Sequence, residues 1–439
     1  MFLFSKQFIR QGTAIVRGKN LNYSLFDNTF SFVSMDSLLK EKVWSTLRSS
    51  DFNNLNIRCV PVGIEDIVAD IIGTSNPSLP DEHTFTCEYK KLFVHRESCS
   101  IDALEFVGPT INQIVQNITI RRGLVNGEKL EEFSLETSFM LLNKKCFLKT
   151  ITEMCNEDER NGIGYKSSII LFFDSSITTE EAFLIYKAFI RVVQFLAHRR
   201  DVYFDCNSYQ NEGESISPNG SLFVSIVSEN DYDDETKPIS IEAVFPIIDK
   251  LLEFVLDEKI VPLFIPAKKT VTFSDSYILA TAWAQMVFKQ VYVPTNPDFY
   301  FDGKYDIRDK SIKGNPKINF QKQLTSMITE SFPYISDFHQ IAIQFLLKGQ
   351  KIEDYSSNVL PNRLKSVRNA IAHGSEDPKD YEYTHLDMIF LLCAIYSSIL
   401  KKKLGLDDKH LKLALSELFF DSTEAFAQWR NLHQEKECY

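Results

Sequence analysis

At 439 residues the chain is too long for one hydrophobic core, so two domains are expected. Its hydrophobic fraction of 44% and charged fraction of 24% are those of an ordinary globular protein, and 35 Phe against 16 Gly exclude low-complexity stretches. A net charge of −11 argues against a broadly basic nucleic-acid coat, but the acidity sits mostly before residue 240, and the near-neutral remainder leaves room for a local basic groove.

The start, MFLFSKQFIRQG, has no basic region followed by an apolar run, so it does not read as a signal peptide. Segments 84–95 (TFTCEYKKLFVH), 118–123 (ITIRRG) and 133–142 (FSLETSFMLL) alternate, or are rich in β-branched and aromatic residues between turn signals, and predict strands. Segment 166–176 (KSSIILFFDSS) reads as a buried strand. Next comes a helix capped by Thr178 or Thr179, with glutamates in its first turn. A last strand is expected at 221–228 (SLFVSIVS). Residues 1–230 therefore predict a β-rich sandwich or barrel with one long helix, in a sensing or regulatory role.

The acidic stretch 228–238 (SENDYDDETKP) lacks apolar periodicity and ends in proline, which marks a linker over 231–239. Its Asp231, Asp233 and Asp234 have the alternation of a Ca²⁺ loop but lack that loop's glycine and distal glutamate, so a solvated linker is the better reading. From residue 240 to 439 the pattern is helical, with Gly349, Gly374 and Gly405 where helix C-caps belong. One longer break, 293–317, reads as a surface loop or a flap over a site. The overall class is α+β. The longest apolar stretch, 388–400, is too short for a bilayer, so no membrane partner and a cytoplasmic location are expected.

Eight cysteines show no C-x-x-C pair and no partnering histidine spacing, and read as scattered buried thiols in a reducing compartment. GIGYKSS (162–168) lacks the spacing of a phosphate loop, and there is no G-x-S-x-G or H-E-x-x-H. Zinc and serine-hydrolase chemistry thus have no support in the sequence.

The stretch LPNRLKSVRNAIAHG (360–374) is different. On a helix, Leu360, Leu364, Val367 and Ile371 form a 4-3-4 apolar stripe, and Asn362, Ser366, Asn369 and His373 repeat that spacing about 200° around the axis. Arg368 and His373 fall about 140° apart. They converge only if the helix unwinds near Gly374 or a second subunit supplies the partner. On spacing alone, Asn and His near the last carbonyls also suit an ordinary helix C-terminus.

In this context R-N-x-x-x-H-G resembles the HEPN superfamily over residues 240–439. Its pairing with a β-rich first half, and the RVVQFLAHRRDVYF region, resembles ApeA-type anti-phage HEPN proteins. The resemblance implies a catalytic set of Arg368, Asn369 and His373 that cleaves RNA, tRNA being the expected class, without metal or other cofactor, at a composite homodimer site. A 2′-OH would attack the phosphate, leaving a 2′,3′-cyclic phosphate and a 5′-OH. Arg363 and Lys365 are candidates for phosphate contacts, and His385 could reach the same groove, though a structural histidine is also consistent with its position. His339 and His198 read as structural or surface residues, and the run Lys401 to Lys403 as a dipole complement more than an RNA contact. A phage trigger or regulatory protein is an expected partner. The competing class is a non-catalytic HEPN-like module that dimerises and binds RNA or protein.

Overall fold

The computed structural model describes residues 4–16, 18–33, 56–64, 66–75, 84–115, 134–156, 163–198, 202–211, 215–225, 238–256, 273–292, 320–335, 352–373 and 384–418. The chain divides into two compact units, residues 1–193 with 201–232, and residues 194–200 with 233–439.

The first unit holds β1 (Gln11–Val16), β2 (Lys19–Phe26), β3 (Thr29–Val33), β4 (Asn56–Pro61), β5 (Ile67–Ser75), β6 (Thr84–Arg96), β7 (Ile101–Val107), β8 (Glu136–Leu141), β9 (Lys144–Asn156), β10 (Ile163–Ile177), β11 (Asp205–Asn211) and β12 (Ile216–Val224). Their order is β3-β2-β1-β4-β5-β6-β12-β11-β7-β10-β9-β8, every pairing antiparallel. An added β3–β6 pairing closes β1 to β6 into a six-stranded barrel. Alternation puts Leu21, Tyr23, Phe30, Phe32, Phe85 and Tyr89 into one apolar core. The Phe30 ring packs 5.5 Å from Tyr23 and 6.0 Å from Phe32.

β6 belongs to two structures at once. Its Thr84–Glu88 half pairs with β3 and alternates buried with half-buried residues. Its Lys91–His95 half pairs with β12, and there Leu92, Phe93, Val94 and His95 are all buried. A strand covered on both faces reads as a continuous apolar run.

The remaining strands carry α1 (Pro109–Val115) against β10 and α2 (Thr179–Ala197). The Phe189 ring of α2 stacks on Phe106 of β7 at 4.0 Å. The cap of α2 is Thr178: its Oγ1 accepts from Glu181 N at 3.2 Å, and Glu181 Oε2 accepts from Thr178 N at 2.7 Å. Strands expected at 84–95, 133–142 and 166–176 correspond to β6, β8 and β10. The strand expected at 221–228 starts earlier, at Ile216, through Ser217, Pro218, Asn219 and Gly220. Those residues have turn chemistry, and it is pairing with β11, through a register shift at Ser208/Tyr209, that holds them in the ladder. Segment 118–123 lies outside the described residues.

The second unit is helical: α3 (Ile241–Val244), α4 (Ile248–Leu256), α5 (Phe273–Val291), α6 (Phe320–Ser331), α7 (Ile352–Asp354), α8 (Leu360–His373), α9 (Thr384–Ser397) and α10 (Asp408–Leu418). The molecule is thus α+β, with eight α-helices in this unit among the described residues. α8 and α9 pack on α5 and α6 around Trp283, Leu324, Leu364 and Leu391. Phe195, near the end of α2 and part of this unit, stacks on Tyr396 at 4.5 Å, and the Tyr396 hydroxyl donates to its carbonyl at 2.6 Å. Gly405, expected to close a helix, has φ +80° and donates its N–H to Lys401 O at 2.8 Å. Gly349, Gly374, Asp231, Asp233, Asp234, His339 and the break at 293–317 lie outside the described residues. No described helix is long and apolar enough to cross a membrane.

Candidate functional site at the end of helix α8

The helix bearing Arg368 is one continuous rod from Ile352 with a π-helical turn, Tyr355–Val359, between α7 and α8. Pro361 supplies a physical reason for the irregularity. It has no N–H to offer Ser357 four residues back, and the Ser357 carbonyl accepts instead from the Thr325 hydroxyl of α6 at 3.3 Å. The Leu360 N–H reaches back five residues, to Tyr355 O.

Beyond that turn α8 is regular through His373. Leu360, Leu364 and Val367 are buried and Ile371 half-buried, while Asn362, Ser366 and Asn369 are exposed. The two stripes are therefore where their spacing puts them. Two arginines sit on the flanks of the apolar stripe, about 60° to one side (Arg363) and 80° to the other (Arg368).

Arg363 turns inward. Its Nε donates to Asp387 Oδ2 at 2.6 Å, its Nη2 donates to Asp387 Oδ1 and to the Tyr355 hydroxyl, and that hydroxyl donates to Asp387 Oδ1 at 2.8 Å. Asp387, near the start of α9, is 0% exposed. Burial pushes its carboxyl above the ordinary range, against the pull of Arg363 and Tyr355. Burial alone would lower Arg363, but its bonds to Asp387 outweigh that and raise it. Arg363, expected to contact phosphate, thus spends its Nε and Nη2 on the two oxygens of a buried carboxylate.

Arg368 is held differently. Its guanidinium carbon lies 4.8 Å from the centre of the Phe320 ring at the start of α6. Nη2 reaches Gln285 Oε1 of α5 at 3.5 Å, the upper limit for a hydrogen bond. It is half-exposed, next to the exposed Asn369. A ring face orients the planar cation without a counter-charge. Lys365 is half-exposed. His373 is the last residue of α8 and His385 the second of α9; their side chains fall outside the described set, as does Gly374. Since α8 stays helical through His373, unwinding before that residue does not bring it round to Arg368.

Lys401 and Lys402 are paired with acids, Lys401 with Asp408 and Tyr334, and Lys402 with Glu330 at 2.8 Å. Among the described residues no group of three or more His, Cys, Asp or Glu is placed to hold a metal ion. The barrel unit has its own cleft of about 400 Å³, with Lys6, Arg10, Asp27, Tyr203, Asp205 and Phe223 on its walls. Its charges are mixed and name no single ligand chemistry.

Sequence reasoning did not find Gln285, Phe320, Tyr355 or Asp387. The first three lie on other turns with no motif of their own; Asp387, an acid just inside an apolar helix, was the one available signal. No protein-family model, no curated protein and no solved structure matches this chain.

Proposed function

We propose that the chain is a HEPN-type endoribonuclease that cuts RNA, with tRNA the expected class, at a site shared by two copies of its helical unit. Arg368, Asn369 and His373 are the catalytic set. The observation that carries this reading is the geometry of α8: it is regular through His373, with Arg368 and His373 about 140° apart around its axis. On one chain the two positions lie on different faces of the helix. Two copies meeting at their motif helices would let Arg368 of one face His373 of the other.

In that site His373 withdraws the proton of a ribose 2′-OH, or returns one to the leaving 5′-oxygen. Arg368 donates to the scissile phosphate and stabilises the charge that develops on it. The bond formed is 2′-O to phosphorus and the bond broken is phosphorus to 5′-O, which leaves a 2′,3′-cyclic phosphate and a 5′-OH. The nucleophile belongs to the substrate, so DNA is spared. Asn369, exposed beside Arg368, orients the substrate.

The test is purified protein with total RNA in EDTA, followed by sequencing of cyclic-phosphate ends. Arg368→Ala and His373→Ala should each lose at least about 10²-fold in cleavage while keeping the fold and oligomeric state. Wild type that cuts no RNA, or both variants cutting normally, would leave the non-catalytic binding module as the better reading.

A further inference from the structure

The described thiols are not equivalent. Cys59, Cys87, Cys146, Cys206 and Cys393 are buried free thiols, and burial raises each of them, Cys87 to about 12 and Cys146 to about 11. Cys99 differs. It is half-buried in the turn between β6 and β7, and its Sγ lies 3.4 Å from His95 Nδ1. The sequence expectation of thiols without a histidine partner is corrected here, by an H-x-x-x-C spacing that the strand end folds back on itself.

His95 is 6% exposed and stacks on Phe93 at 4.2 Å. Its Nε2 lies 2.8 Å from Asp70 Oδ2, and its Nδ1 lies 2.6 Å from the Arg96 carbonyl. A carbonyl oxygen and a carboxylate can only accept, so both ring nitrogens carry hydrogen and the ring is an imidazolium. Burial works against this charge, but the bonds to Asp70, Cys99 and Arg96 outweigh it and raise His95 to about 9.

Its counter-charge is the Asp70 carboxylate at Nε2, while the Cys99 sulfur lies against Nδ1. On β4, Arg58 lies opposite Asp70 in register and donates to Glu97 at 3.0 Å. On β12 the residue opposite His95 is Gly220, which has no side chain, and a Cβ there would come within 2.9 Å of His95 Cβ.

We infer that Cys99 is a reactive thiolate, a modification site for small hydroperoxides, held by the His95–Asp70 pair. An imidazole already protonated on both nitrogens cannot take the thiol's proton as a base. It acts instead as a fixed cation beside the sulfur, which favours thiolate. That arrangement suits a thiol that meets small electrophiles rather than one in a hydrolytic triad. The thiolate sulfur attacks one peroxide oxygen; an S–O bond forms and the O–O bond breaks. Sulfur loses two electrons, the peroxide gains them, and the departing hydroxide takes a proton from water, leaving a sulfenic acid. This inference is independent of the ribonuclease proposal.

The test uses the full chain and mass spectrometry resolved by cysteine. Iodoacetamide alkylation is followed from pH 5 to 10, and dimedone trapping follows a hydrogen peroxide pulse. Cys99 should alkylate at pH 7 at least about 10-fold faster than any buried cysteine, with a midpoint below the ordinary thiol value of about 8.5. It should also carry the dimedone adduct. Asp70→Asn, at a half-exposed position that leaves the ring in place, should move that midpoint up and slow the pH 7 rate several-fold; His95→Gln should do so more strongly. A wild-type midpoint at or above the ordinary value overturns the inference without any variant. An unchanged rate in folded Asp70→Asn, or no adduct at Cys99, overturns it as well.

Discussion

Two arginines on one helix, five residues apart, serve opposite ends. Arg363 closes on a carboxylate that sees no solvent and shares it with a tyrosine hydroxyl. Arg368 rests on the face of Phe320 with one long contact to Gln285. A buried carboxylate takes the Nε and Nη2 edge of the guanidinium and fixes it against the helix pair. An aromatic face holds the cation in place and leaves most of its donors for another acceptor. Side by side they show why a basic residue on a motif helix says little until its partner is known.

The comparison breaks most visibly at Asp387. Asp387→Ala leaves Arg363 as an uncompensated, mostly buried charge, and chemical denaturation should show a loss of about 3–5 kcal/mol. A change under 1 kcal/mol would mean that the pair is not the anchor described above.

A smaller effect extends the contrast to two histidines, one with a carboxylate partner and one facing a phenol. His95, raised to about 9, has an unfolded value of about 6.5. Its contribution is complete below about pH 6.5 and is lost as pH climbs toward 9. His198 sits at φ +47°, its Nδ1 3.0 Å from the Tyr396 hydroxyl, and burial pushes it down to about 4. It is neutral in both states above about pH 6.5, and stability falls as the pH drops from there toward 4, by on the order of 3 kcal/mol. His198→Asn, which tolerates the positive φ, should flatten the acid slope alone, and Asp70→Asn the alkaline slope alone. pH-dependent denaturation of each variant reads both.

The smallest stability effect belongs to Arg368. Arg368→Ala removes one cation–ring contact at a half-exposed site and should cost about 0.5–1 kcal/mol. A loss as large as that of Asp387→Ala would make Arg368 a second structural anchor and erase the contrast.

Period-based features were legible in the sequence. The 4-3-4 counts separated buried Leu360, Leu364 and Val367 from exposed Asn362, Ser366 and Asn369, and the β-branched and aromatic content of 84–95 marked β6 as a strand. Pairings across long stretches of chain were not. Closure of β3 on β6 depends on register, which no local pattern encodes. Arg363 could not be told from Arg368, because Asp387 lies 24 residues away and Gln285 lies 83 away, each reached only through helix packing. Cys99 and His95 were four residues apart in plain view, but only the turn after β6 brings sulfur to ring.

The most direct test of the central claim takes Arg368→Gln and Arg363→Gln through the same two assays, RNA cleavage in EDTA and denaturant melting. The account predicts that Arg368→Gln melts within about 1 kcal/mol of wild type and cuts at least about 10²-fold more slowly. It predicts the reverse for Arg363→Gln, a large loss of stability with near-normal cleavage by the fraction that remains folded. A well-folded Arg368→Gln protein that cuts RNA at the wild-type rate would contradict it.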